Sequence, residues 1–277
     1  GDYEARPGQV EMALEVARAL NEDRVLAAEA GTGVGKSFAY LVPAILWATR
    51  NRRKVVVSTG TINLQEQLTG KDLPFLARAL PVPFQFALIK GRGNYACRRQ
   101  AGELEQDLNQ SDLFPNDERK QLQDLVEWVK TTHDGSRSSL AWIPPPQVWD
   151  RVMSESDRSL KLKCKHYHEC FYYEAKRAAS KADVLVINHH LFFADLAVRR
   201  ETGNYDRDLV LPAYDRVIFD EAHHLEDVAS DYFGVRLSRV GIRARLARLL
   251  STQDHERGVV PTLVRRLRGM GDRVAAE

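Results

Sequence analysis

Eight consecutive residues, Ala30-Gly31-Thr32-Gly33-Val34-Gly35-Lys36-Ser37, have the types and spacing needed to hold a nucleoside triphosphate. The glycines let backbone N–H groups curl around phosphates with no Cβ in the way, and a helix opening at this point adds the positive end of its dipole. In that reading Lys36 reaches the β- and γ-phosphate oxygens, and the Ser37 hydroxyl ligates Mg2+. The bland alternative is a glycine-rich turn with a surface lysine. A second group speaks against it: Val217-Ile218-Phe219 is an apolar run ending in two carboxylates, Asp220 and Glu221, followed by Ala222 and His223. Asp220 can hold the Mg2+ through water, and Glu221 can polarise the water that attacks the γ-phosphate in line. A third set is Cys97, Cys164 and Cys170. The last two lie in Lys-Cys-Lys-His-Tyr-His-Glu-Cys, too polar a setting for a core strand, so metal ligation competes with the usual fate of a buried thiol.

These groups need elements to position them. A helix over 9–21 leads to the apolar run 25–28, a strand that would feed the glycine-rich turn, and a second helix covers 37–49. Apolar runs at 55–57, 86–89, 184–187 and 217–219 read as strands, with a helix over 62–80 between the first two. Short, fully apolar runs separated by helices predict a parallel sheet covered on both faces, hence an α/β fold. Between 94 and 158 the chain is polar and helical with irregular breaks such as Pro144-Pro145-Pro146, which predicts an insertion into that sheet. Beyond residue 225 it is helical, without further strand-like runs. Arg236, Arg239, Arg243, Arg245 and Arg248 crowd the start of this segment, followed by Arg265, Arg266 and Arg268. Spacings of three and four put several on one helix face, either a solvated face or a surface that tracks phosphates.

Composition bounds the rest. The 277 residues are 44% hydrophobic, enough for a substantial core, and 40 Lys plus Arg nearly cancel 38 Asp plus Glu. Any basic surface is therefore local. The longest uncharged apolar stretch, 38–49, is 12 residues, against roughly 20 for a membrane-spanning helix. With no basic-then-apolar leader and an odd number of cysteines, the chain reads as cytoplasmic.

The pair GTGVGKS and DEAH, preceded by Arg6-Pro7-Gly8-Gln9, resembles the first motor lobe of a superfamily 2 helicase of the DEAH type. That resemblance implies a RecA-like lobe in which Gln9 meets the adenine edge. It also implies that Ser58-Thr59-Gly60-Thr61, with Leu64-Gln65-Glu66-Gln67-Leu68 after it, faces the nucleic-acid backbone. Three further blocks narrow the family: Lys90-Gly91-Arg92-Gly93-Asn94-Tyr95-Ala96-Cys97, Cys170-Phe171-Tyr172-Tyr173 with Ala175-Lys176, and 188–196 beginning Asn188-His189-His190. Together they resemble the XPD/DinG group of iron–sulphur DNA helicases, on its bacterial DinG/YoaA branch. In that family four cysteines hold a 4Fe-4S cluster. Ser159 stands where the family carries the fourth, and a serine oxygen is a harder, poorer ligand for iron than a thiolate. Three outcomes are open: three cysteines with Ser159, water or His166/His168 as the fourth ligand; a three-iron cluster; or no cluster.

By this resemblance the domains are a first part of motor lobe 1 (1–95), a helical iron–sulphur-type insertion (96–175), a second part of lobe 1 with the DEAH box (176–225), and the start of a helical arch (226–277). The site residues are Gln9, 31–37, Asp220, Glu221 and His223 for Mg-ATP, with Thr59, Thr61, Arg92, Arg98 and Arg99 for single-stranded DNA. The implied whole is a monomeric, nucleoid-associated, ATP-dependent helicase moving 5′ to 3′ in DNA repair, with replication or repair proteins as partners. A second lobe with its arginines would lie beyond this stretch of sequence. The alternative is a nucleotide-dependent DNA-binding or scaffold protein without processive unwinding; a nuclease-coupled ATPase would need a further carboxylate cluster.

Overall fold

The computed structural model describes residues 6–31, 35–110 and 116–233, together with residues 260 and 264. Contacts divide the chain into Gly1–Val228 and Ala229–Glu277. The first unit carries the sites discussed below; the arginines from 236 to 268 lie outside the described residues, as does most of the arch expected over 226–277.

Helix α1 (Pro7–Glu22) opens with proline at its first turn, where the missing N–H costs nothing. Helix α2 (Lys36–Asn51) follows the glycine-rich turn, and then comes β1 (Val55–Thr59). Helix α3 (Ile62–Gln67) widens through a π-helical turn at Leu68–Asp72 into α4 (Leu73–Ala79), so the helix expected over 62–80 is one path with a change of pitch. Strand β2 (Phe86–Leu88) comes next. The insertion holds α5 (Arg98–Gln110), α6 (Asn116–Thr131), the short α7 (Pro146–Trp149) and α8 (Phe171–Lys181). Strand β3 (Val184–Asn188), α9 (His189–Thr202), β4 (Arg216–Phe219) and α10 (Leu225–Phe233) complete the order. No helix among the described residues is long and apolar enough to cross a membrane.

The four strands form one parallel sheet in the order β2-β3-β1-β4, with Val55 opposite both Val184 and Arg216. Val55, Val56, Val57, Val184, Leu185 and Val186 have no exposed surface, which is what helices on both faces of a sheet impose. The α/β, RecA-like fold class read from the sequence is thus present. Two hydrophobic clusters carry it. One joins α1, α2, α4 and the sheet around Leu41, Ile45 and Leu73. The other lies within the insertion, around Leu122, Leu125, Trp149, Val152 and Phe171.

One expected strand does not form. Residues 25–28 have no regular structure, and Val25 is fully exposed. A strand needs a neighbour to take its N–H and C=O groups. Among the described residues β4 ends the sheet, and nothing bridges it to the 25–28 run.

Candidate active site

The carboxyl ends of β1, β3 and β4 meet the start of α2, the edge at which parallel α/β sheets take ligands. Gly35 enters α2 in the left-handed region at φ 84°. Its carbonyl accepts a hydrogen bond from the Gln9 amide at 2.8 Å, and a Cβ there would lie 2.2 Å from Gln9 Nε2. The conformation therefore demands glycine, and any side chain there would also displace the Gln9 amide. Lys36 Nζ stands 3.8 Å from Glu221 Oε1, so the two motifs, far apart in sequence, face each other across the site. Gly31 and Ser37 flank it; Thr32, Gly33 and Val34 lie outside the described residues.

Asp220 is the best-held group. Its N–H donates to the Ser58 carbonyl at 2.8 Å, which pins the end of β4 to β1. Its Oδ2 accepts from the Tyr40 hydroxyl at 2.9 Å, and its Oδ1 from the Glu221 N–H at 3.0 Å. Burial, and then the Asp220 charge, push the Tyr40 pKa far above its ordinary value, so Tyr40 stays a hydrogen-bond donor. Glu221 adopts φ 56°, ψ 49°, a left-handed conformation that costs a non-glycine residue free energy and recurs where function fixes a backbone. His223 is exposed, with Nδ1 3.4 Å from Glu221 Oε2. Such an arrangement can hold a cation at Asp220 and aim the Glu221 carboxylate at a water in front of a phosphate.

The residues expected at the nucleic-acid face divide into two groups. Thr59 is buried and its hydroxyl donates to the Thr61 carbonyl at 3.2 Å, whereas Thr61 is exposed and caps α3 by accepting from the Leu64 N–H. The three arginines are engaged within the insertion. Arg92 stacks 4.1 Å from the Tyr172 ring centroid and donates to Tyr173 Oη. Arg98 lies over Phe171 and donates to the carbonyls of Glu169 and Val129. Arg99 pairs with Glu103 and donates to the Arg158 carbonyl. Each still presents part of its surface to solvent.

Cys97, Cys164 and Cys170 are free, half-buried thiols that line one small cavity, and Ser159 lines it with them. Arg92, Arg99, Arg158 and Lys161 share the wall; Tyr167 and Tyr173 do too, but neither His166 nor His168 does. Among the described residues no three His, Cys, Asp or Glu side chains converge as ligands of a single ion. A multi-iron cluster asks for less, one thiolate per iron around a shared space, and its negative charge suits a cationic wall. The donor set therefore fits an iron–sulphur group through three positions and departs at Ser159.

The DEAD_2 family model matches residues 147–242. The chain is 40% identical over 237 residues to the ATP-dependent DNA helicase YoaA of Escherichia coli, covering 85% of this chain and 36% of that protein. It is 36% identical over 270 residues to the ATP-dependent helicase DinG of Mycobacterium tuberculosis, covering 91% and 40%. The chain is similar to the DinG/XPD-type helicases. It spans little more than a third of the length of these relatives and corresponds to the N-terminal region of the DinG/XPD type. A further relative, 32% identical over 249 residues, is the 3′-5′ exonuclease DinG of Bacillus subtilis, of which the chain covers 25%.

Two side chains at the site escaped the sequence reading. Tyr40 sits one turn into α2 and meets Asp220 from 180 positions away, with no spacing signal to announce it. His189 lies in a block that the family resemblance quotes but assigns no role. Tyr40→Phe removes one hydrogen bond to a charged acceptor, worth about 1.5–3 kcal/mol. In the intact enzyme it should raise the Mg2+ concentration for half-maximal ATP hydrolysis by about tenfold. An unchanged Mg2+ titration would remove Tyr40 from the site.

Proposed function

We propose that this chain supplies the ATP-binding motor lobe and cluster-type insertion of an ATP-dependent DNA helicase. The observation that carries the proposal is Lys36 facing Glu221 beside a pinned Asp220 at the carboxyl edge of a parallel sheet. In this reading 31–37 cradle the triphosphate, Lys36 binds its terminal oxygens, and Ser37 with Asp220 holds Mg2+. Glu221 orients the attacking water, and Gln9, already at the phosphate loop, meets the base. His223 stands beside Glu221 as its exposed neighbour. The segments 1–95 and 176–225 form the lobe, 96–175 the insertion, and 226–277 begins the arch. Single-stranded DNA runs past Thr59, Gly60 and Thr61 and along the solvent-facing parts of Arg92, Arg98 and Arg99. Movement from 5′ to 3′, a place in DNA repair and a cytoplasmic setting follow from likeness to the DinG/YoaA branch.

The intact enzyme should hydrolyse ATP faster when single-stranded DNA is added, and should displace a paired strand only with Mg-ATP. A Lys36→Ala enzyme should do neither. DNA binding indifferent to nucleotide, with no stimulated hydrolysis, would favour a scaffold.

Cys97, Cys164 and Cys170 would hold the 4Fe-4S cluster, with Ser159 at the fourth position. When bound, such a cluster supplies covalent cross-links between distant parts of the insertion and a one-electron redox couple. Protein prepared without oxygen should be brown and bleach quickly in air, and Ser159→Cys should slow the bleaching. Iron content near zero in both proteins would mean that the thiols no longer bind metal.

A further inference from the structure

His189 sits where three strand ends meet, and half of its hydrogen bonding is incomplete. The residue begins α9 directly after β3, and its side chain is 1% exposed. Nδ1 lies 2.7 Å from Ser58 Oγ on β1, and the ring packs 6.0 Å from that of Phe219 on β4. Among the described residues Nε2 has no hydrogen-bond partner. A polar nitrogen buried without a partner costs free energy, and one in a native structure asks for a reason.

The surroundings supply one. A Cβ added to Gly60 would lie 3.8 Å from His189 Nε2, 3.7 Å from Glu221 Cβ and 3.1 Å from His224 Cδ2, so Nε2 opens onto the narrow gap between Gly60 and the Asp220-Glu221 turn. Burial lowers the His189 pKa and the facing backbone of Glu221 and Asp220 works against that shift, although Nε2 completes no hydrogen bond there. Ser58, which holds Nδ1, also holds the Asp220 N–H through its own carbonyl. With the Ser58 hydroxyl donating to Nδ1, the proton resides on Nε2, and a small shift of the turn would close Nε2–H onto a carbonyl there.

We infer that His189 is a positioning residue that couples the 58–61 loop to the Glu221 turn. Its Nε2–H bonds to the Asp220-Glu221 backbone when single-stranded DNA orders the loop, and lets go when DNA leaves. The inference rests on the helicase reading and deepens it: it names the physical link between DNA occupancy and the water-orienting carboxylate. Ser58 is buried at the end of β1 and the half-buried Asp220-Glu221 turn follows β4 directly, so the link runs between two strand ends.

Two replacements separate coupling from packing. In His189→Asn the amide stands in for Nδ1 and can keep the Ser58 contact, but nothing reaches the turn. In His189→Gln the amide extends to the place of Nε2. The assays are steady-state ATP hydrolysis by the intact enzyme with and without a poly-dT oligonucleotide, and anisotropy for oligonucleotide affinity. His189→Asn should lower the ratio of stimulated to unstimulated kcat by about tenfold, with the KM for ATP and the Kd for DNA within about twofold of wild type. His189→Gln should recover much of the ratio. A wild-type ratio retained in His189→Asn would overturn the coupling, as would parallel losses of kcat, affinity and Tm in both variants, which mean packing alone. A wild-type enzyme without any DNA stimulation would instead overturn the helicase reading, and this inference with it.

Discussion

Glu221→Gln in the intact enzyme is expected to lower ATP turnover by roughly 10²- to 10⁴-fold, the usual worth of a positioned general base, while leaving nucleotide binding in place. The amide is nearly isosteric and can keep the left-handed turn at this position, φ 56°, so the backbone that carries it should not move. What disappears is the negative charge, both as proton acceptor and as the partner that Lys36 Nζ faces at 3.8 Å. Lys36 and Glu221 side chains are each one-third exposed, so their mutual attraction is a solvent-screened contact and contributes little to stability. Lys36→Ala should therefore leave the melting temperature nearly unchanged and remove ATP binding, because the charge meant for the phosphates is gone. The contrast between the two variants is diagnostic: Glu221→Gln traps bound ATP, and Lys36→Ala never acquires it. Fluorescent-nucleotide binding beside single-turnover hydrolysis would show it. Equal loss of binding in both variants would assign Glu221 to nucleotide or metal binding and take the water-orienting role from it.

Much of this site was legible because the signals are local. The glycine-rich turn, the lysine after it, and an apolar run ending in Asp220-Glu221 are each contained in fewer than ten residues, and the apolar runs 55–57 in β1 and 184–187 in β3 read as strands buried on both faces. The run 25–28 shows the limit. It has strand composition, but a strand exists only beside another, and no spacing within the run tells whether β4 offers its edge. The arginines show a different limit. Charge is visible in sequence and burial is not, so Arg98 and Arg99 read as a phosphate-seeking pair although the fold ties them to Val129, Glu169, Arg158 and Glu103. Tyr40 and His189 act only through partners 180 and 131 positions away. The polar setting of Cys164 and Cys170 already marked the thiols as metal-ligand candidates, but the place of Ser159 beside them was reachable through family resemblance alone.

The largest expected loss of stability comes from Arg199, which never entered the sequence reading. Residues 203–215 lead from α9 to β4 without regular structure, and buried backbone along such a path must find partners. Arg199 provides them. Its side chain is 2% exposed; Nε donates to Asp195 Oδ2 one turn earlier at 2.5 Å, and Nη1 reaches the carbonyls of Tyr205 and Arg207. Nη2 reaches those of Leu211 and Pro212, each at 3.2 Å, while Asp195 Oδ1 accepts from the Leu211 N–H at 2.8 Å. One guanidinium thus fixes the path by which the chain enters β4 and so the register of Asp220. Arg199→Met would leave Asp195 buried without its counter-charge, at a cost of about 3–5 kcal/mol. That corresponds to a fall in Tm of roughly 6–20 °C at about 2–4 °C per kcal/mol. Replacing both partners, as in Asp195→Leu with Arg199→Met, removes the orphaned charge, and for a plain buried ion pair stability would return. Here it should return only in part, because four carbonyls still lack their donor. Calorimetry of the intact protein distinguishes the cases: a double variant as stable as wild type would reduce Arg199 to an ion-pair partner, and a single variant melting within about 2 °C of wild type would mean that the loop holds itself.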